Sequence, residues 1–194
     1  GGRLDGRPLV LLAHGSSAPC THPFMEAIAA GLLRRSMAVV RFHFPYMERA
    51  VREGRRLPPD RAPRLVATWR AMVERAGRYW SDCPLVLAGK SLGARMASML
   101  LAEGGAPAAR ASVYFGYPLH PAGKPEKLRS AHLPDVPVPQ LFVSGTRDPL
   151  CDLRLLRPGQ GRLHGEEDHA EPVFAGEAPL HGVHERVGLG RVHQ

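Results

Sequence analysis

The chain has 194 residues and a net charge of +8, with 44% hydrophobic and 23% charged residues. That balance is globular, excludes a wholly disordered chain, and suffices for one core without a disulfide or metal staple. Only three of the 26 basic residues are lysine, the arginines are dispersed, and the cluster Arg49, Arg52, Arg55 and Arg56 has Glu48 and Glu53 inside it, so the charge argues against a nucleic-acid partner.

No apolar run approaches the ~20 residues of a membrane span, and no secretory signal is visible, although the chain opens at Gly1-Gly2 without a Met. Cys20, Cys83 and Cys151 form no CxxC pair and no zinc pattern. The expectation is a cytoplasmic protein in a reducing setting with no membrane partner. Oligomeric state is not legible from the sequence.

Residues 8–13 (PLVLLA) are continuously apolar and stop at His14-Gly15-Ser16-Ser17, which reads as a doubly buried strand followed by a loop. Pro23 suits a first helical turn, and Phe24, Ile28 and Leu32 repeat at helical spacing with Met25 and Leu33. Residues 23–35 therefore read as an amphipathic helix. Residues 37–44 (MAVVRFHF) read as a second strand stopped by Pro45, and residues 53–63 as a Pro/Gly-rich loop. A second helix follows over 65–79, with Leu65, Trp69, Met72, Val73 and Ala76 on one stripe. Residues 83–88 read as a third strand, 91–103 as a third helix, and 111–115 and 139–144 as two more strands.

Apolar strands alternating with helices predict an α/β fold, a mostly parallel sheet with helices on both faces. Residues 117–139 are too few for a typical lid, so no cap domain is expected. After about residue 150 the pattern changes. Residues 158–194 hold five of the ten histidines, and Gly and Pro recur without helical period. The expected division is one domain over 1–170 and an irregular tail over 171–194.

Gly89-Lys90-Ser91-Leu92-Gly93 matches G-x-S-x-G, directly after an apolar strand and directly before a helix. A sharp turn there strains the serine backbone and lifts its Oγ above the sheet edge, with Gly89 and Gly93 relieving the crowding. The Leu92 N–H then lies at a helix N-terminus, suited to a developing oxyanion. A Walker A loop would need Gly at position 84, which is Pro. A serine nucleophile needs a base and a residue to orient it. Asp148, in Gly145-Thr146-Arg147-Asp148-Pro149 after the fifth strand, is the candidate acid. His169, in Glu166-Glu167-Asp168-His169, is the candidate base, with His164, His181, His184 and His193 as alternatives. The second oxyanion donor is expected from the loop after the first strand, at the Ser16 N–H, with His14 and Gly15 shaping that loop. His164, Glu166, His169, His181 and His184 are metal-ligand types without HExxH or tight spacing, so neither metal nor cofactor is expected.

Several stretches together resemble a known group: Leu12-Ala13-His14-Gly15, Pro23-Phe24-Met25, Arg41-Phe42-His43-Phe44-Pro45-Tyr46-Met47, Pro59-Asp60-Arg61-Ala62-Pro63, Gly89 to Met96, Gly116 to Pro121, Gly123 to Arg129, and Gly145 to Pro149. They are similar to the small cap-less hydrolases of the α/β-hydrolase superfamily, the bacterial relatives of a testis-expressed hydrolase-like protein and of a chromatin-complex subunit, near the dienelactone hydrolases. The resemblance covers about residues 8–150. It implies an α/β-hydrolase core that lacks the N-terminal strands of the full fold, with Ser91 as nucleophile, Asp148 as acid and a late histidine as base. Glu167-Asp168-His169 stands where the group carries a G-D-H stretch. The expected function is a serine hydrolase acting on an ester or thioester of a small acyl substrate. The alternative is an inactive protein of the same fold that serves binding or assembly.

Overall fold

The computed structural model describes residues 4–145, 147–151 and 155. The strands are β1 (Leu9–Ala13), β2 (Ala38–Phe42), β3 (Leu85–Lys90), β4 (Ala109–Phe115) and β5 (Gln140–Val143). The helices are α1 (Pro23–Leu33), α2 (Pro45–Glu53), α3 (Ala62–Tyr79) and α4 (Leu92–Ala102), and a 3-10 turn spans Leu133–Asp135. All neighbouring strands are parallel, in the order β2-β1-β3-β4-β5. Between β4 and β5 the described residues hold only the 3-10 turn, with no cap domain.

The apolar run of β1 divides by strand alternation. Leu9, Leu11 and Ala13 face a core with Leu65, Trp69, Met96 and Leu100 of α3 and α4. Val10 and Leu12 face the other side, with Met25 and Ala29 of α1. Every β1 residue is buried, which is why no polar residue interrupts it.

Pro45, read from sequence only as the stop of the second strand, begins α2, which the sequence reading left unassigned. Proline fixes a helical φ and lacks only an N–H that a first helical turn leaves unbonded, so Pro45 opens a helix rather than ending structure. Gly54 closes it with φ 62, a left-handed conformation that glycine adopts without Cβ strain. The third strand has the length read from sequence but lies two residues later: Cys83 and Pro84 precede it, and Gly89 and Lys90 still belong to β3. The turn is therefore made at Ser91 itself. The division at residue 170, the tail 171–194 and His169 lie outside the described residues.

Candidate active site

Ser91 joins β3 to α4 with φ 49 and ψ −111, one of three described non-glycine residues at positive φ. Such a conformation costs about 1–3 kcal/mol and persists only where the surroundings enforce it. They do so here. The Ser91 N–H donates to the Phe115 carbonyl at the end of β4 (2.9 Å). A Cβ at Gly89 would meet the Ala94 amide nitrogen at 2.4 Å, and one at Gly93 would meet the His14 carbonyl oxygen at 2.6 Å. Both contacts are to backbone, so only glycine lets α4 close onto β3 and β1. The buried Trp69 indole donates to the Gly93 carbonyl (3.2 Å), tying α3 to the first turn of α4. Ser91 remains half-buried. The Leu92 N–H is in the first turn, where no intrahelical acceptor exists.

The loop after β1 lies over this turn. A Cβ at Gly15 would come 3.6 Å from the Ser91 Cβ. His14 is fully buried, and its Nε2 accepts the Phe44 N–H (3.1 Å), so the ring proton is on Nδ1 and is donated to the Gly15 carbonyl (2.6 Å). Burial drives the His14 pKa down to about 4, with His43 adding repulsion against the backbone bond that favours the cation. A neutral imidazole with both nitrogens engaged has no site for the Ser91 proton. The buried Tyr46 hydroxyl approaches both the Gly15 and the Ser16 carbonyls (3.2 Å each). Burial, and then Asp60, push its pKa up to about 12, which keeps it a donor. With the Gly15 carbonyl drawn toward Tyr46 and His14, the planar trans peptide turns the Ser16 N–H the opposite way.

Asp148 follows β5 and is half-buried. Its Oδ1 accepts the Leu150 N–H (2.9 Å) and its Oδ2 the Ser144 hydroxyl (3.2 Å). The register aligns Lys90 with Phe115 and Phe115 with Val143, so Ser91 and the Asp148 loop leave the same sheet edge two strands apart, about 10 Å. Gly116, between them, has φ 55, and a Cβ there would lie 3.2 Å from Asp148 Oδ2. The structure thus brings Ser91, Leu92, Gly15 and Ser16 together, with Asp148 across β4.

A family profile described as an α/β hydrolase domain matches residues 6–164, most of the chain. The chain belongs to the α/β-hydrolase family. An α/β serine hydrolase homologue from Coxiella burnetii shares the fold at 17% identity and TM-score 0.61, over 76% of this chain and 65% of that one. A protein from Thermus thermophilus is similar at 25% identity and TM-score 0.58, over 76% and 70%. A dienelactone hydrolase from Anabaena variabilis shares the fold at 20% identity and TM-score 0.53, over 72% and 62%. The chain therefore spans less than two thirds of the length of the Coxiella and Anabaena proteins.

Among the described residues of this α/β-hydrolase, a serine–histidine contact occurs away from Ser91, and the sequence did not suggest it. Ser98 Oγ lies 2.8 Å from His132 Nε2 and 3.0 Å from the Tyr117 hydroxyl, and it donates to the Arg95 carbonyl (2.8 Å). Ser98 is fully buried in the body of α4. Burial and then Arg95 hold His132 below the usual histidine range. The contact ties α4 to the loop before β5 and offers no opening to a carbonyl.

Sequence reasoning also missed Tyr46 and Gly116. The signal for Tyr46 was an aromatic directly behind Pro45, where a helix N-terminus turns it back under the β1 loop. The signal for Gly116 was a glycine at the end of an apolar strand. Among the described residues no group of three or more His, Cys, Asp or Glu is placed to hold a metal ion, and no helix is long and apolar enough to cross a membrane. The metal-ligand types of the tail and all the candidate bases lie outside the described residues.

Proposed function

We propose that this α/β-hydrolase is a serine hydrolase that cleaves an ester or thioester of a small acyl substrate. The observation that carries the reading is the enforced positive φ of Ser91 at the end of β3, beneath the Gly15–Ser16 loop. In this reading Ser91 Oγ attacks the acyl carbon while its proton passes to His169. The new C–O bond forms as the carbonyl electrons move onto oxygen, where the Ser16 and Leu92 N–H groups receive them. Collapse breaks the bond to the leaving alcohol or thiol, which takes the proton from His169. Water then repeats the sequence on the acyl-enzyme, releasing the acid and restoring Ser91. Asp148 holds the His169 tautomer and stabilises the imidazolium. Its hydrogen bonds from the Ser144 hydroxyl and the Leu150 N–H hold the side chain in place beside β5. The ~10 Å between the Ser91 and Asp148 strand ends suits an imidazole bonded at both ends.

The buried thiols Cys20, Cys83 and Cys151 favour a reducing compartment such as the cytoplasm. The test is a panel of short-chain esters and thioesters assayed with the full chain and with Ser91→Ala, Asp148→Asn and His169→Ala. Turnover in the parent, with kcat/KM lowered about a thousandfold or more in each variant, is expected. Turnover that survives Ser91→Ala overturns the assignment.

A further inference from the structure

Beside the β1 loop lies a cleft of about 620 Å³, within the range of small-molecule sites. The exposed Ser16 and Ser17 line it, and one wall is a single stripe of α2 and its C-cap: Met47, Ala50, Val51 and Gly54 recur at helical i, i+3, i+4 and i+7 spacing. The opposite wall is the loop from Arg55 to Pro59. The walls are apolar apart from two guanidinium groups, Arg55 and Arg56, and among the described residues no carboxylate lines the cleft. Arg55 is matched by Glu53, with Nη2 at 2.8 Å and Nε at 2.9 Å from the same carboxylate oxygen. Arg56 is exposed and has no ion-pair partner among the described residues. The cleft therefore combines two serines next to Gly15, an apolar stripe and one cation without an ion-pair partner among the described residues.

We infer that this cleft is the subsite for a substrate arm made of methylenes and ending in a carboxylate, held by Arg56. The inference rests on Ser91 being the nucleophile, because Gly15, which precedes Ser16, lies over Ser91. A carbonyl whose oxygen sits at the Ser16 N–H sends one arm along Met47 and Val51. The methylenes lie on the α2 stripe, where they leave water. The terminal carboxylate meets the Arg56 guanidinium, whose planar fork matches it. The preferred substrates are half-esters or half-thioesters of dicarboxylic acids rather than neutral acyl esters of the same length.

Two measurements decide this. The first compares kcat/KM for the 4-nitrophenyl half-ester of adipate with that of adipamate, which replaces the carboxylate by an amide of the same shape. The acid is expected to lead by about fivefold at low salt, the range of a solvent-accessible ion pair, with the lead shrinking as salt is added. Arg56→Gln brings the ratio near one, whereas Arg110→Gln, exposed at the opposite end of the sheet, leaves it unchanged. A parent ratio of one, or a ratio untouched by Arg56→Gln, overturns the subsite. The second measurement needs no turnover: calorimetric binding of monomethyl adipate to Ser91→Ala, expected to weaken when Arg56→Gln is added. If no ester is turned over, the nucleophile reading fails, and the binding experiment still decides the cleft.

Discussion

Two serines at the two ends of one stretch of α4 teach what makes a nucleophile in this protein. Ser98 touches a histidine, 2.8 Å to His132, and is fully buried with its hydroxyl committed to the Arg95 carbonyl. Ser91 makes no side-chain hydrogen bond among the described residues, yet it is half-buried at a sheet edge with φ 49, under the loop that carries Gly15. A hydrogen bond to imidazole is thus a poor guide by itself. The distinguishing features are access and a backbone held where serine does not rest. Around Ser98 the hydrogen bonds stabilise a helix-to-loop junction, whereas around Ser91 the close contacts enforce strain.

The comparison breaks most severely at Gly93. A Cβ there meets the His14 and Ala13 carbonyl oxygens at 2.6 and 2.8 Å, so Gly93→Ala forces α4 off β1. We expect a loss of about 3 kcal/mol or more in urea unfolding, at the upper end of overpacking costs. A loss below about 0.5 kcal/mol would mean that the elbow is not enforced from below.

His14 supplies the next effect. Its folded pKa of about 4 lies below the ordinary 6.5, so the folded protein favours the neutral ring. The stabilisation is whole above pH 6.5 and is lost as pH falls toward 4, by about 3 kcal/mol across that window. The readout is unfolding free energy against pH for the parent and for His14→Gln, which does not titrate. The parent should fall more steeply, and parallel curves would contradict the burial of a neutral His14 under the loop.

Ser98→Ala removes the hydroxyl that joins Arg95, Tyr117 and His132. It should cost about 1–2 kcal/mol of stability, from partners left buried and unmatched. Ester turnover should stay within about threefold of the parent. Loss of turnover with stability intact would reverse the roles given to the two serines.

The smallest effect has the opposite sign. Ser91→Gly relieves a positive φ and should raise stability by about 1 kcal/mol in the same urea measurement, although it removes the nucleophile. Destabilisation would show that Ser91 carries no backbone strain.

Much of this arrangement was legible in the chain because apolar continuity is an unambiguous signal. The apolar runs at 8–13 and 83–88 marked two central strands, found at Leu9–Ala13 and Leu85–Lys90, and G-x-S-x-G between a strand and a helix located Ser91 without coordinates. Proline was the ambiguous symbol. Pro45 looked like a strand stop, although the same fixed φ opens α2, and with it the placement of Tyr46 and the wall of the cleft was lost. The two-residue shift of β3 toward Ser91 escaped notice because glycine and lysine carry little strand propensity, while pairing with Tyr114 and Phe115 of β4 holds them in the sheet. Contacts such as Ser98 with His132 depend on where a loop returns across a helix, which no local period encodes. Beyond residue 150 the periodicity that supported every other assignment disappears, and the choice of His169 rests on chain order and the neighbouring Asp168.

The most direct test is covalent labelling of the folded full chain with a fluorophosphonate probe, read by peptide mass spectrometry on the parent, Ser91→Ala and Ser98→Ala. The account predicts label on the Ser91 peptide of the parent, no label in Ser91→Ala and undiminished label in Ser98→Ala. Label on Ser98, or none on the folded parent, would contradict it.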